Sequence, residues 1–499
     1  MKKYVSALSL LAAFAAPVCF GGSDRDAQYK TIKHKPDQPN VLLLITDEHN
    51  FRTIGAYRDH LTKDQALLWG DTAVETPNLD YLAKNGALFT SMYASSPVCS
   101  PSRSSMFTGM YPQNAGVTKN DMVMDTSLPT IASLLKKNGY KTGYAGKWHL
   151  SGTAKPGWAP EFNYGFDDNR HMYNRGHWKV FGFGDDGKPT AANGPISKAD
   201  EKNYATDWLT DRAIEFIDAH ADKPFFYTVS YPDPHDPNGV RPPYDSLYRD
   251  VNFKFPATFH KEVPADYPRW QKYTKLKLES SPKKMQDHFS GYWGMVKLLD
   301  DNVGRLIAHL KEKGLLENTI VIFSSDHGDF LGEHHKVNKT YPQEASARIP
   351  FILSYPAGVG KGLVVGAAAN TADWMDTIAS LTKAKGHQPN QNDGRDLTPL
   401  LQGDAAKWDD VTFMRYQSWV AAVTDRYKLI ISVENKPVDA WLIDLSKDPD
   451  ELTNALKLPE NKNIVKRLAQ ELKHYGTNAK DAIVLDEQVQ MQLNALIKL

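Results

Sequence analysis

The residues able to do chemistry fall into four groups. Asp47 and Glu48 close a short apolar run at 41–45, and two adjacent carboxylates are hard oxygen donors suited to a divalent cation. Asp326 and His327 close a second apolar run at 319–325, with Gly328 free to turn the backbone sharply behind them. Together the two groups offer three carboxylates and an imidazole, enough for one metal site. The imidazole keeps manganese and magnesium open beside calcium. The third group is Cys99-Ser100-Pro101-Ser102-Arg103, running on to Gly109. Pro101 and Gly109 frame a short helix with Cys99 at its amino end. Arg103 lies one turn along the same face, so its guanidinium can steady an anion that meets residue 99. The fourth group is a scatter of cations: Lys147 and His149 in Gly146-Lys147-Trp148-His149, His235 in Pro234-His235-Asp236-Pro237, and Lys339. Taken singly, each group has a plain reading as a solvated turn, a small core thiol or a surface charge. Gathered in one pocket with a metal, Arg103, the lysines and the histidines suit a tetrahedral oxyanion such as sulfate or phosphate.

Such a pocket needs a scaffold that brings strand ends together. The runs at 41–45, 141–145, 225–230, 319–324 and 349–353 read as strands buried on both faces. Between them lie helix signals. One has Thr76 as cap, Pro77 at the first position and Gly86 past the end. Others carry Ile131, Leu134 and Leu135, or span 204–219, or run from Tyr292 to Leu310 at helical spacing. Helices alternating with apolar strands predict an α/β fold with a mostly parallel central sheet, whose ligands gather beyond the carboxyl ends of the strands. After about residue 385 the pattern changes to strand candidates at 420–423, 427–433 and 440–443 and a helix at 463–475. We read 38–384 as a catalytic domain and 385–499 as a smaller α+β subdomain with an antiparallel sheet.

Composition narrows the partners. The 499 residues carry 59 Lys plus Arg against 59 Asp plus Glu, so no general attraction draws the protein to nucleic acid or anionic lipid. Lys2 and Lys3, the apolar stretch at 5–16 and the small residues after it form a secretory signal over 1–22, too short to remain as a membrane anchor. The mature protein is expected to be exported, periplasmic or secreted, without membrane insertion. Lipidation at Cys19 is disfavoured by Pro17 and Val18, so Cys99 is left as the one cysteine of the mature chain.

These motifs resemble those of the formylglycine-dependent sulfatases of the alkaline phosphatase superfamily, over most of the mature chain and in the family's order. The pieces are Asn40 to Asp47, Cys99-Ser100-Pro101-Ser102-Arg103 with Thr108-Gly109, Gly146-Lys147-Trp148-His149, Gly165-Phe166-Asp167, Pro234-His235, Ser325-Asp326-His327-Gly328 with Leu331-Gly332-Glu333-His334, and Lys339. Thr424 to Leu429 and Asp444 to Pro449 resemble the family's carboxy-terminal part. The resemblance implies that a formylglycine-generating enzyme oxidises Cys99 before folding. The aldehyde hydrates to a diol, one hydroxyl of which attacks sulfur while the other expels sulfate. It implies that Asp47, Glu48, Asp326 and His327 hold one divalent metal, calcium first. Arg103 and Lys147 orient the diol and sulfate, and His149 stands beside the second hydroxyl. His235 and Lys339 meet the sulfate or the leaving oxygen, one of them as general acid. The sequence departs from many members in Glu48, where a second Asp is common, and in His327, where Asn is common. The insert between the Lys147 and His235 motifs is rich in aromatic and basic residues, and Arg170, His171, Arg175, His177 and Trp178 are its candidate substrate contacts. Export and this insert together point to a sulfated oligo- or polysaccharide, for example an algal galactan such as carrageenan. A phosphodiesterase or phosphonate monoester hydrolase of the same superfamily and a catalytically dead glycan-binding relative are the alternatives.

Overall fold

The computed structural model describes residues 38–499 except 186–187, 193, 265–266, 273–275, 277–279, 389–391 and 435–437. The signal segment 1–22 and Cys19 lie outside the described residues. Among those described, no helix is long and apolar enough to cross a membrane.

The central sheet has eight strands: β1 Asn40–Asp47, β2 Ala87–Phe89, β3 Lys141–Lys147, β4 Asp168–Tyr173, β5 Phe225–Pro234, β6 Thr319–Ser325, β7 Phe351–Ser354 and β8 Leu363–Val365, in the spatial order β8-β2-β7-β6-β1-β5-β3-β4. The pairings of β1 with β5 and β6, and of β3 with β4 and β5, are all parallel. The run expected at 349–353 is β7, and it pairs antiparallel with both β6 and β2. Its direction has a simple cause. A parallel return needs a long crossover, normally helical, and the longest helix between β6 and β7 is the four-residue Glu344–Ala347.

Both faces of the sheet are covered, which is why β1 reads as an unbroken apolar run. Val41, Leu43 and Ile45 enter one core with Met106, Phe107, Ile131 and Trp374. Leu42 and Leu44 enter the other with Leu79, Trp208, Leu209, Leu299 and Val303. The first face carries helices α2 Cys99–Thr108, α3 Ile131–Lys137 and α6 Asp373–Leu381. The second carries α1 Pro77–Lys84, α4 Ala205–His220 and α5 Pro282–Glu312. Each fully buried Leu or Ile of β1 contributes roughly 1.5–3 kcal/mol.

Two local readings change. Thr76 makes no side-chain cap to α1; its hydroxyl accepts from the Gly55 N–H and donates to Asp80. The orphan N–H groups of Asn78 and Leu79 are taken instead by Asp300 Oδ1 of α5, at 3.0 and 2.9 Å, a carboxylate at a helix amino end. Gly328 does not adopt a left-handed turn. It is required because a Cβ there would lie 2.1 Å from the Ala345 carbonyl oxygen.

Near the carboxy terminus, β9 Thr412–Tyr416, β10 Trp419–Val423, β11 Tyr427–Ser432 and β12 Asp439–Asp444 form an antiparallel meander. Its apolar residues Val420, Leu429 and Leu442 pack with Leu468 and Leu472 of α7 Lys462–Asn478 and Leu493 of α8 Glu487–Ile497.

Candidate active site

Strand register alone assembles the site. Asp47 of β1 stands opposite Pro234 of β5, Thr46 opposite Ser325 of β6, and Lys147 of β3 opposite Tyr173 of β4. The carboxyl ends of four neighbouring parallel strands therefore deliver Asp47, Lys147, His235 and Asp326 to one place, as such sheets do. Helix α2 adds Cys99 at its first residue and Arg103 one turn on, and Gly109 closes it in a left-handed conformation at φ 69°.

Asp47, Cys99, Asp326 and His327 each present one atom within 4.8 Å of the others, and all four are buried. Cys99 Sγ lies 3.2 Å from His327 Nε2 and 3.6 Å from Lys147 Nζ. The carbonyl of Gly328, 3.0 Å from His327 Nδ1, can only accept, so Nδ1 carries a proton and Nε2 is the nitrogen that faces Asp47 and Asp326. Burial disfavours the charged ring but Asp326 raises its pKa, and a cation at Nε2 would take the place of the second proton.

Arg103 is wholly buried. Its Nε donates to Asp326 Oδ2 at 2.9 Å and its Nη1 to the Lys147 carbonyl and Ser230 Oγ at 2.7 and 2.8 Å. Its Nη2 has no hydrogen-bond partner and stands 4.0 Å from Asp47 Oδ2. Lys147 Nζ donates to Asp47 Oδ2 at 2.5 Å and lies 2.8 Å from His177 Nε2. His149, at φ 61°, places Nε2 3.0 Å from Asp121 Oδ1, while its Nδ1 is buried without a partner.

Glu48 adopts φ 65°, in the left-handed region. Glu48 Oε2 is 2.7 Å from both His235 Nε2 and Lys339 Nζ, whereas Oε1 is buried with no partner. The backbone N–H of Glu48 donates to Asp326 Oδ1 at 3.2 Å. His235 stacks on His177 with ring centres 3.4 Å apart, and its Nδ1 meets Asp236 Oδ1 at 2.7 Å.

Charge follows this geometry. Burial opposes ionisation of Asp47, but Lys147 overrides it and holds the carboxyl well below the usual carboxylate range. Burial likewise opposes Glu48, and His235 and Lys339 bring it down to about 2. Burial disfavours His235 as a cation, yet Glu48 raises it to about 10. Lys339 is raised by the same carboxylate against its own burial. His177 is pushed down to about 3 by burial, Lys147 and His235. It is a neutral ring beside two cations. Burial disfavours a Cys99 thiolate, but Lys147, Lys339 and His327 pull the thiol well below its ordinary value.

A divalent cation fits this donor set. Asp47 and Asp326 supply carboxylates, His327 supplies Nε2, and the orphaned, ionised Glu48 Oε1 is a buried oxygen in want of a positive partner.

Of the insert residues, His177 enters the site. Arg175 reaches it indirectly, pairing at 3.0 Å with the Asp121 that also binds His149, and Trp178 donates to the Arg175 carbonyl at 3.1 Å. Arg170 and His171 are not brought in. Arg170 folds back on Asp168, and the His171 ring meets Trp208 of α4 edge-on. Three supporting residues escaped the sequence reading. Asp121 sits in a loop at φ 68° with no periodicity to mark it. Ser230 is one polar residue in an apolar strand. Lys179 braces the His235 loop from behind, donating to Asp233 Oδ1 and the His235 carbonyl at 2.5 and 2.7 Å.

Strand-end carboxylates and a histidine with Arg103, Lys147 and Lys339 beside them, on a mostly parallel sheet of the α/β class, are the equipment of a hydrolase for esters of a tetrahedral oxyanion. Residues 39–384 match the sulfatase family, and 332–478 match the carboxy-terminal part described for N-sulphoglucosamine sulphohydrolase. The chain is 30% identical to an ulvan-active sulfatase of Formosa agariphila over 75% of its own length and 67% of the relative's. It is 25% identical to an N-acetylglucosamine-6-O-sulfatase of Bacteroides thetaiotaomicron over 90% and 89%. A protein solved in complex with its substrate D-glucosamine-2-N,6-O-disulfate shares the fold at a TM-score of 0.73 and 23% identity, over 89% of this chain and 99% of that one. The protein belongs to the sulfatase family and is a sulfuric ester hydrolase.

Proposed function

We propose that the protein is an exported sulfatase that removes sulfate esters from a sulfated glycan, through a formylglycine made from Cys99 and one bound divalent cation, calcium. The observation that carries this reading is the placement of Cys99 Sγ among Asp47, Asp326 and His327, within reach of Lys147. The ulvan-active and N-acetylglucosamine-6-O-sulfatase relatives support a sugar sulfate as substrate, and the signal read at 1–22 supports export.

Cys99 is 2% exposed at the start of a helix, so a formylglycine-generating enzyme must reach it before this helix is packed. When present, the hydrated aldehyde supplies the nucleophile for sulfur, and the cation polarises an oxygen and balances the sulfate charge. Asp47, Asp326, His327 Nε2 and Glu48 Oε1 would hold the cation. Arg103 Nη2, with no partner of its own, and Lys147 Nζ converge on Asp47 and residue 99, where they orient an anion. His149 Nδ1, buried and unpaired, is the atom free to take a proton near residue 99. On the opposite wall, Glu48 holds His235 and Lys339 as cations, and this pair supplies the proton to the departing alkoxide.

Sulfate release from ulvan, carrageenan and N-acetylglucosamine 6-sulfate, beside hydrolysis of an aryl phosphodiester, tests the proposal. A sugar sulfate is the expected preferred substrate. Preference for the phosphodiester would overturn it in favour of a phosphohydrolase.

A further inference from the structure

The tip of the β9–β10 hairpin lies beside the segment that follows Lys339, and a cavity of about 690 Å³ opens there. Its walls are Tyr416, Gln417, Ser418 and Trp419 of the hairpin, Thr340 and Tyr341 just after Lys339, and two opposite charges, Lys272 and Glu434. Two ties hold the hairpin, one to that segment and one to the chain before Cys99. The Trp419 indole donates to the Thr340 carbonyl at 3.0 Å, and the Arg415 N–H donates to the carbonyl of Ser95 at 3.0 Å, four residues before Cys99. The cavity is next to a reacting group along the chain as well, since its wall residue Thr340 directly follows Lys339.

The lining is hydroxyl, amide, one carboxylate and one ammonium around aromatic rings, which is the equipment for a sugar rather than for an apolar ligand. Gln417 holds φ 34°, a strained backbone for a residue with a side chain, and such strain collects at ligand clamps. Ser418 Oγ donates to Glu434 Oε1 at 2.7 Å, so this carboxylate is oriented, while Oε2 makes no hydrogen bond. The volume lies within the usual range for a small-ligand pocket, ~300–1,000 Å³.

We propose that this cavity is a second sugar subsite, which receives the residue next to the one bearing the scissile sulfate through Tyr416, Gln417 and Glu434. The inference rests on the glycan reading above and deepens it: the enzyme acts on at least a disaccharide and gains affinity from the neighbouring ring.

The test uses a size series, from monosaccharide to tetrasaccharide, prepared from whichever of ulvan, carrageenan and heparin releases sulfate. In the unaltered enzyme KM is expected to fall about tenfold or more between monosaccharide and disaccharide. Tyr416→Ala and the exposed Gln417→Ala are expected to erase most of that gap while kcat changes less than about threefold. An unchanged KM ratio in a folded Gln417→Ala, or an unaltered enzyme indifferent to chain length, would overturn the subsite. Failure of the unaltered enzyme to release sulfate from any sugar would instead overturn the glycan reading itself.

Discussion

The sulfur of Cys99 and Nε2 of His327 lie 3.2 Å apart although 228 residues separate them in the chain. Helix α2 fixes one and the end of β6 the other. The register of β6 against β1 sets Asp47 beside both. Under the proposed function, a nucleophile derived from residue 99 would arise beside the donor set for a cation, with Lys147 and Arg103 close to it.

Lys339→Ala is expected to keep the fold and to lower turnover about 10²-fold or more, the usual scale for one preorganised charge donor. Glu48 retains His235 as a partner in that variant, so thermal unfolding should change little. Steady-state rates on a sugar sulfate check this; unchanged turnover removes Lys339 from the site.

Metal binding has a readout independent of catalysis. A cation that binds only the folded state raises stability by about 2.7 kcal/mol at 100 times its Kd. Calcium is expected to raise the Tm of chelator-treated protein, and Asp47→Asn or Asp326→Asn to abolish the rise. An equal rise in all three proteins places the cation elsewhere.

Lys428 joins the carboxy-terminal sheet to the Lys339 loop. Its buried ammonium donates to the Pro342 carbonyl, Glu344 Oε1 and Glu451 Oε1 at 2.7, 2.8 and 2.8 Å. Lys428→Met leaves two buried carboxylates without this cation, and breaking a buried pair in this way costs about 3–5 kcal/mol. Urea unfolding measures the loss; a cost below about 1 kcal/mol would show that the network is dispensable.

The Arg426–Asp444 pair gives a pH signature. Two hydrogen bonds of 2.9 and 2.8 Å from Arg426 bring Asp444 from its ordinary 3.8 down to about 2. A folded value below the unfolded one means that this stabilisation is present above pH 3.8 and is lost as pH falls through about 2. Asp444→Asn is therefore expected to lower the Tm at pH 7 and to converge with the unaltered protein near pH 2. An equal difference at both pH values contradicts the assignment.

Much of the site was legible because its chemistry is carried by strings at strand ends. Asp47, Cys99 with Arg103, Lys147, His235 and Asp326 with His327 all lie where an apolar run stops or a short helix begins, and parallel register does the rest. Glu48 shows the limit. It takes a positive φ, and its Oε2 pairs with His235 and Lys339, neither of which any residue pattern encodes. Asp121 was hidden for the same reason. In the insert, His177 and Arg170 looked alike as cationic residues among aromatics. The strand Asp168–Tyr173 carries Arg170 beside Asp168, whereas the chain beyond its end carries His177 to Lys147. The direction of β7 was likewise unreadable, since an apolar run states burial and not orientation.

Peptide mass spectrometry across residue 99, on protein coexpressed with a formylglycine-generating enzyme, tests the central claim most directly. The expected result is an aldehyde at position 99 in place of the thiol. An unmodified Cys99 in protein that still releases sulfate would contradict it.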